Sequence, residues 1–156
     1  METAFFKTPL GTAKIVGDEN GIAIISVQDE GESSTMIPEV LQECVMQLES
    51  YFEGKRNDFS IKLNPKGTDF QQKVWKALVE IPYGKTRTYL EQSKVLGDVK
   101  AIRAVASANG KNPLWIVVPC HRVIGTDGSL TGYAGGLWRK KWLLEHENLN
   151  AQQRLF

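Results

Sequence analysis

Pro119-Cys120-His121-Arg122 puts a thiol, an imidazole and a guanidinium on consecutive residues, behind a proline that fixes the backbone. A nearby base or positive charge favours the thiolate, and the thiolate is the nucleophile. Trp115-Ile116-Val117-Val118 leads in and Val123-Ile124-Gly125 leads out, so the thiol ends an apolar run. These neighbours favour nucleophilic chemistry at Cys120 over a small, inert buried cysteine. The other cysteine, Cys44, shares a helical stripe with Leu41, Val45, Leu48, Tyr51 and Phe52 and reads as core.

The elements that must position Cys120 lie in the second part of the chain. Asn64-Pro65-Lys66-Gly67 is the boundary signal, which predicts domains over 1–65 and 66–156. Thr68 and Gln71 form a capping box that opens a helix with Phe70, Val74, Trp75 and Leu78 on its apolar face. Thr88 and Glu91 form a second box, opening a short helix to Leu96. After Gly97, Asp98 caps a further helix from Val99 to about Asn109. Helix, tight turn and helix make a helix-turn-helix pattern. Its second helix carries Lys100 and Arg103 among Ala101, Ala104, Ala106, Ser107 and Ala108, and so can approach a nucleic-acid groove closely. A thin helix packed in a core has the same composition. Residues 126–136 form a glycine-rich loop, and Trp138 to Glu147 reads as a closing helix with a polar, frayed tail after Asn148.

The first part predicts strands over 10–16 and 22–27 around an Asn20-Gly21 turn, a helix after Pro38, and a strand over 59–63. Its charge is opposite to that of the second part. Residues 1–65 hold 5 Lys+Arg and 11 Asp+Glu, net −6; residues 66–156 hold 14 and 7, net +7. The second part suits a polyanion. Hydrophobic residues at 42% and charged residues at 24% are those of a soluble globular chain. No apolar run reaches membrane-spanning length, and the N-terminus lacks the basic flank and apolar stretch of a secretory signal. Two cysteines make no disulfide framework, so a reducing, cytoplasmic setting is expected.

Tyr89, Arg103-Ala104-Val105, Asn112-Pro113, Pro119-Cys120-His121-Arg122-Val123, Gly132-Tyr133 and Glu147 resemble, in order and spacing, the O6-alkylguanine-DNA alkyltransferases. The likeness is close over about 68–148 and holds in outline before it. It implies an α/β, ribonuclease-H-like N-terminal domain and a mainly α-helical, winged-helix-like C-terminal domain with the helix-turn-helix. It also implies irreversible transfer of an alkyl group from O6-alkylguanine, and possibly O4-alkylthymine, in double-stranded DNA to Cys120, once per molecule.

In that likeness His121 acts through a water as the base and Glu147 orients it, the nucleophile–base–orienter logic of a triad. Asn112 braces the turn before the active-site strand, and the Tyr89 hydroxyl stabilises the departing guanine. A duplex base must be extruded for this reaction, and Arg103 is the residue that would replace it. Thr88, Lys100, Ala104, Ser107, Lys111 and Arg122 complete the implied DNA contacts. Gly132, Tyr133, Ala134 and the Val123 carbonyl would wall the guanine pocket. Trp115 stands where many relatives carry proline or a small residue; it either narrows the alkyl pocket or turns inward to pack against the closing helix near Trp142. Some relatives hold a structural zinc. Cys44 is the only cysteine or histidine before the active site, so four ligands cannot be assembled without Cys120, and no metal or cofactor is expected. The implied state is a monomer with no membrane association. A lesion binder without chemistry would lack Cys120, and a helix-turn-helix transcription factor would leave the thiol unexplained and carry a more charged reading helix.

Overall fold

The Asn20-Gly21 signal closes a hairpin in the computed structural model, which describes residues 1–153, with side chains through 148. Strands β2 (Gly11–Asp18) and β3 (Gly21–Gln28) pair antiparallel across it. Gly21 sits at φ 128, and a Cβ there would come within 3.0 Å of the Lys62 carbonyl oxygen, so the turn needs glycine. A strand that the sequence pattern does not announce, β1 (Glu2–Thr8), pairs with β2 and gives the sheet order β1-β2-β3.

Helix α1 (Glu39–Phe52) lies against β1 and β2; it buries Leu41, Cys44, Val45, Leu48 and Tyr51, and the two strands bury Ala4, Ala13 and Ile15. Each fully buried large aliphatic contributes about 1.5–3 kcal/mol. Cys44 is core, and burial pushes its thiol up to about 12. The strand expected over 59–63 does not form. The buried Gln47 side chain takes the Ser60 amide at 3.0 Å, leaving only a local bridge of Leu63 to Ile22. Farther along β3, Ile25 donates to the Pro113 carbonyl at 2.8 Å and accepts from the Trp115 amide at 3.0 Å. Pro113–Trp115 therefore belongs with residues 1–66 in one compact unit, and Gly67–Asn112 with Ile116 onward makes the other.

In the second unit, both capping boxes are made. Thr68 and Gln71 cap α2 (Asp69–Val79), and Thr88 and Glu91 cap α3 (Tyr89–Val95). Helix α2 buries Val74, Trp75, Ala77 and Leu78, whereas Phe70, expected on that face, is exposed in the first turn. The Trp75 indole donates to the Ala108 carbonyl at 2.9 Å, tying α2 to α4 (Ile102–Gly110). After α3 the chain turns at Gly97, φ 86, and makes a single 3₁₀ turn over Val99–Ala101, capped by Asp98, before α4 begins. Two-residue strands β4 (Arg87–Thr88) and β5 (Val123–Ile124) pair in parallel. The closing helix α5 (Leu137–Gln153) runs past Asn148, where fraying is expected from the sequence, and the last three residues of that tail lie outside the described chain.

Candidate functional site

Cys120 opens a 3₁₀ turn, Cys120–Arg122, whose entry is fixed by Pro119. The segment before it is anchored from α4's end: the Asn112 side-chain amide donates to the Val118 carbonyl at 2.8 Å, and that of Asn109 donates to the Cys120 carbonyl at 3.3 Å. Between them Ile116 adopts φ 73, a conformation a β-branched residue rarely takes and which only surrounding contacts can hold. The thiol is 5% exposed. Burial pushes it up to about 11, against an Asn112 hydrogen bond, the Lys140 charge and a backbone N–H that favour the thiolate. The sequence predicts a thiol lowered by its neighbours; here desolvation outweighs them, and at neutral pH the resting group is the thiol.

His121 is wholly buried, and its Nε2 lies 2.7 Å from Glu147 Oε2. Burial works against the Glu147 charge, but His121 and Arg122 more than offset it and hold the carboxyl well below the usual range. An ionised carboxylate only accepts, so Nε2 carries the proton of the pair. In the neutral ring Nδ1 then keeps its lone pair, and this atom has no hydrogen-bond partner among the described residues. A base is thus presented on the residue next to the thiol.

Arg122 requires a correction. The resemblance implies a DNA contact for it, yet it is 6% exposed, and its donors are taken by protein acceptors. Nε and Nη2 bind the two Glu147 oxygens at 2.8 and 3.0 Å, and Nη1 binds the Ile81 carbonyl at 2.7 Å. Sequence position beside a reactive residue does not distinguish a buried ion pair from a phosphate contact.

A cavity of about 610 Å³ is lined by Tyr89, Arg103 and Ala106 on the helical side and Gly132, Tyr133 and Ala134 on the loop side; Cys120 and Val123 are not among its lining residues. The Tyr89 hydroxyl donates to the Thr131 carbonyl at 3.1 Å, and burial raises it above its ordinary range. Val123 is fully buried in β5. Trp115 is tied by its backbone to Ile25 in the first unit, its amide donating to the Ile25 carbonyl at 3.0 Å.

Arg103, Ala104 and Ser107 are exposed on α4, while Val105, Ala108 and Asn109 face inward. Lys100 and Lys111 are exposed at its two ends, and the Thr88 hydroxyl is occupied in capping α3. Two residues that the sequence analysis does not single out, Lys140 and Asn109, also belong here. Lys140 carries a signal: with Leu143 and Glu147 it falls at i, i+3 and i+7, placing two charges on the buried stripe of α5. Among the described residues no group of three or more His, Cys, Asp or Glu is arranged to hold a metal, and no helix is long and apolar enough to cross a membrane.

Two family models match the chain. Residues 69–149 match the 6-O-methylguanine DNA methyltransferase DNA binding domain, and residues 1–65 match the ribonuclease-like domain of the same family. A Methanosarcina acetivorans methylated-DNA–protein-cysteine methyltransferase is 47% identical over 94% of this chain and 98% of its own length. The protein of that name from Mycobacterium tuberculosis is 54% identical over 73% of this chain and 69% of its own. The crystal structure of Mycobacterium tuberculosis OGT in complex with DNA superposes with TM-score 0.87 at 42% identity, covering 96% of this chain and 94% of that one.

Proposed function

The chain belongs to the 6-O-methylguanine DNA methyltransferase family, and we propose on that premise that it repairs DNA by moving the alkyl group of O6-alkylguanine onto its own Cys120. The observation that carries this reading is the fixed imidazole: Glu147 holds His121 by Nε2 and leaves Nδ1 free on the residue beside the thiol. A thiol resting near pH 11 needs such a base to react at neutral pH.

The thiol proton passes through a bridging water to His121 Nδ1 as sulfur bonds to the alkyl carbon. The carbon–O6 bond breaks, and its electron pair leaves with guanine. Tyr89 gives its hydroxyl proton to that anion, and solvent carries the proton held by His121 back to Tyr89. The resulting thioether has no leaving group to regenerate the thiol, so each molecule acts once.

Helices α3 and α4 serve as a helix-turn-helix, with the exposed Arg103, Ala104, Ser107, Lys100 and Lys111 toward the duplex. Small side chains suit a narrow groove, and Arg103, lining both the helix surface and the cavity, fills the space of an extruded base. The protein acts as a monomer in the cytoplasm, and the cavity accepts the damaged guanine between Tyr89 and the Gly132-Tyr133-Ala134 loop. Incubation with excess duplex containing O6-methylguanine, followed by digestion and mass measurement, tests this. One methyl on the Cys120 peptide and none on Cys44 is expected; sustained turnover or label on Cys44 refutes it.

A further inference from the structure

Among the described residues, two buried side-chain atoms have no hydrogen-bond partner, His121 Nδ1 and Asn109 Oδ1. The first is the base of the transfer chemistry above, which gives the second no task. Asn109 is 3% exposed in the last turn of α4. That turn is held on both sides: the Trp75 indole donates to the Ala108 carbonyl at 2.9 Å, and the Asn112 backbone amide donates to the Asn109 backbone carbonyl at 3.3 Å.

The side chain is oriented by what it meets. Its nitrogen donates to the Cys120 carbonyl at 3.3 Å. A carbonyl only accepts, so turning the amide about would set oxygen against oxygen. The Asn109 side chain also reaches Tyr89: burial raises the Tyr89 hydroxyl, and a hydrogen bond from Asn109 works against that rise. The amide therefore lies between the Cys120 turn and the Tyr89 wall of the cavity. Ala106, one turn earlier in α4, and Gly110, the next residue, line the same cavity. A buried acceptor without a donor is costly, and beside a ligand cavity the ligand can bring the donor.

We propose that Asn109 is a specificity-determining residue, its side-chain oxygen accepting from the exocyclic amine of the extruded guanine. The inference rests on the alkyl-transfer reading and names the part of the base that this acceptor reads. Alkylation at O6 leaves N1 of guanine without its hydrogen, and N3 and N7 are acceptors. The amine is then the one N–H donor on the free edges of the base. It has two hydrogens, so Asn109 leaves one for the Val123 carbonyl that the resemblance sets in the pocket wall. O4-alkylthymine offers acceptors alone, and its entry would leave Asn109 Oδ1 buried and unanswered. A site built to bond a substrate group discriminates strongly against an analogue that lacks it.

The test uses two duplexes, one with O6-methylguanine and one with O6-methylhypoxanthine, which is the same base with the amine replaced by hydrogen. Single-turnover methylation of Cys120 is followed by peptide mass in wild type and in Asn109→Leu, which keeps the volume and removes the acceptor. The quantity read is the ratio of the two rates. Base pairing, extrusion and leaving-group strength differ between the duplexes in the same way for both proteins and cancel in the comparison. The lost contact with the Cys120 carbonyl falls on both substrates and cancels as well. The guanine-to-hypoxanthine ratio is expected to fall about tenfold in Asn109→Leu. The preference for O6-methylguanine over O4-methylthymine should shrink with it.

Should Asn109→Leu not fold, Asn109→Ala, which adds no bulk, is read by the same ratio. An unchanged ratio in a folded variant overturns the proposal, including the case of an equal loss on both duplexes that follows a fall in melting temperature. If wild type leaves Cys120 unmodified by both duplexes, it is the alkyl-transfer reading that falls.

Discussion

Glu147 has more resting on it than any other single side chain of the site. One carboxylate answers the His121 imidazole and two nitrogens of Arg122, and all three side chains are buried. Removing one partner of such a pair leaves the other charge buried alone, so Glu147→Ala should lower stability by about 3–5 kcal/mol in denaturant unfolding. The folded carboxyl titrates below its unfolded value of about 4.3, so its stabilisation is complete above that pH. It is lost as pH falls below about 4.3 toward the folded value. Melting temperatures of the wild type should therefore drop on acidification through this window. Glu147→Gln should be less stable at neutral pH and lose less on acidification; parallel curves would contradict the assignment. At this scale the sequence is informative about identity and poor about exposure. Adjacent Cys120 and His121 announce their chemistry. Arg122 looks equally available, because its partners, Glu147 and the Ile81 carbonyl, are distant in the chain.

Helix α4 shows what periodicity delivers. Val105, Ala108 and Asn109 face inward and Arg103, Ala104 and Ser107 face outward, as 3.6 residues per turn require. Arg103 thus stands at the rim of the cavity with short neighbours. A wedge role predicts that Arg103→Ala slows repair in duplex DNA at least about tenfold while transfer from free O6-benzylguanine, which needs no extrusion, changes little. Equal losses on the two substrates would rule the wedge out. Local signals such as the boxes at Thr68 and Thr88 are legible because all the atoms involved lie within four residues. Strand pairing is not. Residues 59–63 alternate like a strand but yield a backbone amide to Gln47, and Trp115 joins a sheet edge formed near the start of the chain. Alternation reports a face, not the availability of an edge to pair with.

For the molecule as a whole, charge separation is the property that composition states outright. The excess of cations after residue 65, 14 against 7, predicts binding to duplex DNA that weakens linearly in log–log terms with salt. Lys111 is exposed at the end of α4. Titration of an undamaged duplex at several salt concentrations should give Lys111→Ala a slope shallower by about one than wild type, with affinity reduced for every sequence alike. An unchanged slope would remove Lys111 from the phosphate contacts.

The three residues Pro113–Trp115 also bear on inheritance. They sit in sequence between α4 and the reactive turn, yet they pair with the Ile25 edge of the N-terminal sheet. A reading frame cut at Lys66 therefore separates no finished part: one product keeps an edge without its neighbour, and the other keeps the neighbour without an edge. Recombination that exchanged the first 66 residues for an unrelated module would have to reproduce that edge at Ile25. Artificial chimaeras should therefore be joined within homologues that retain the Ile25–Leu114 bridge.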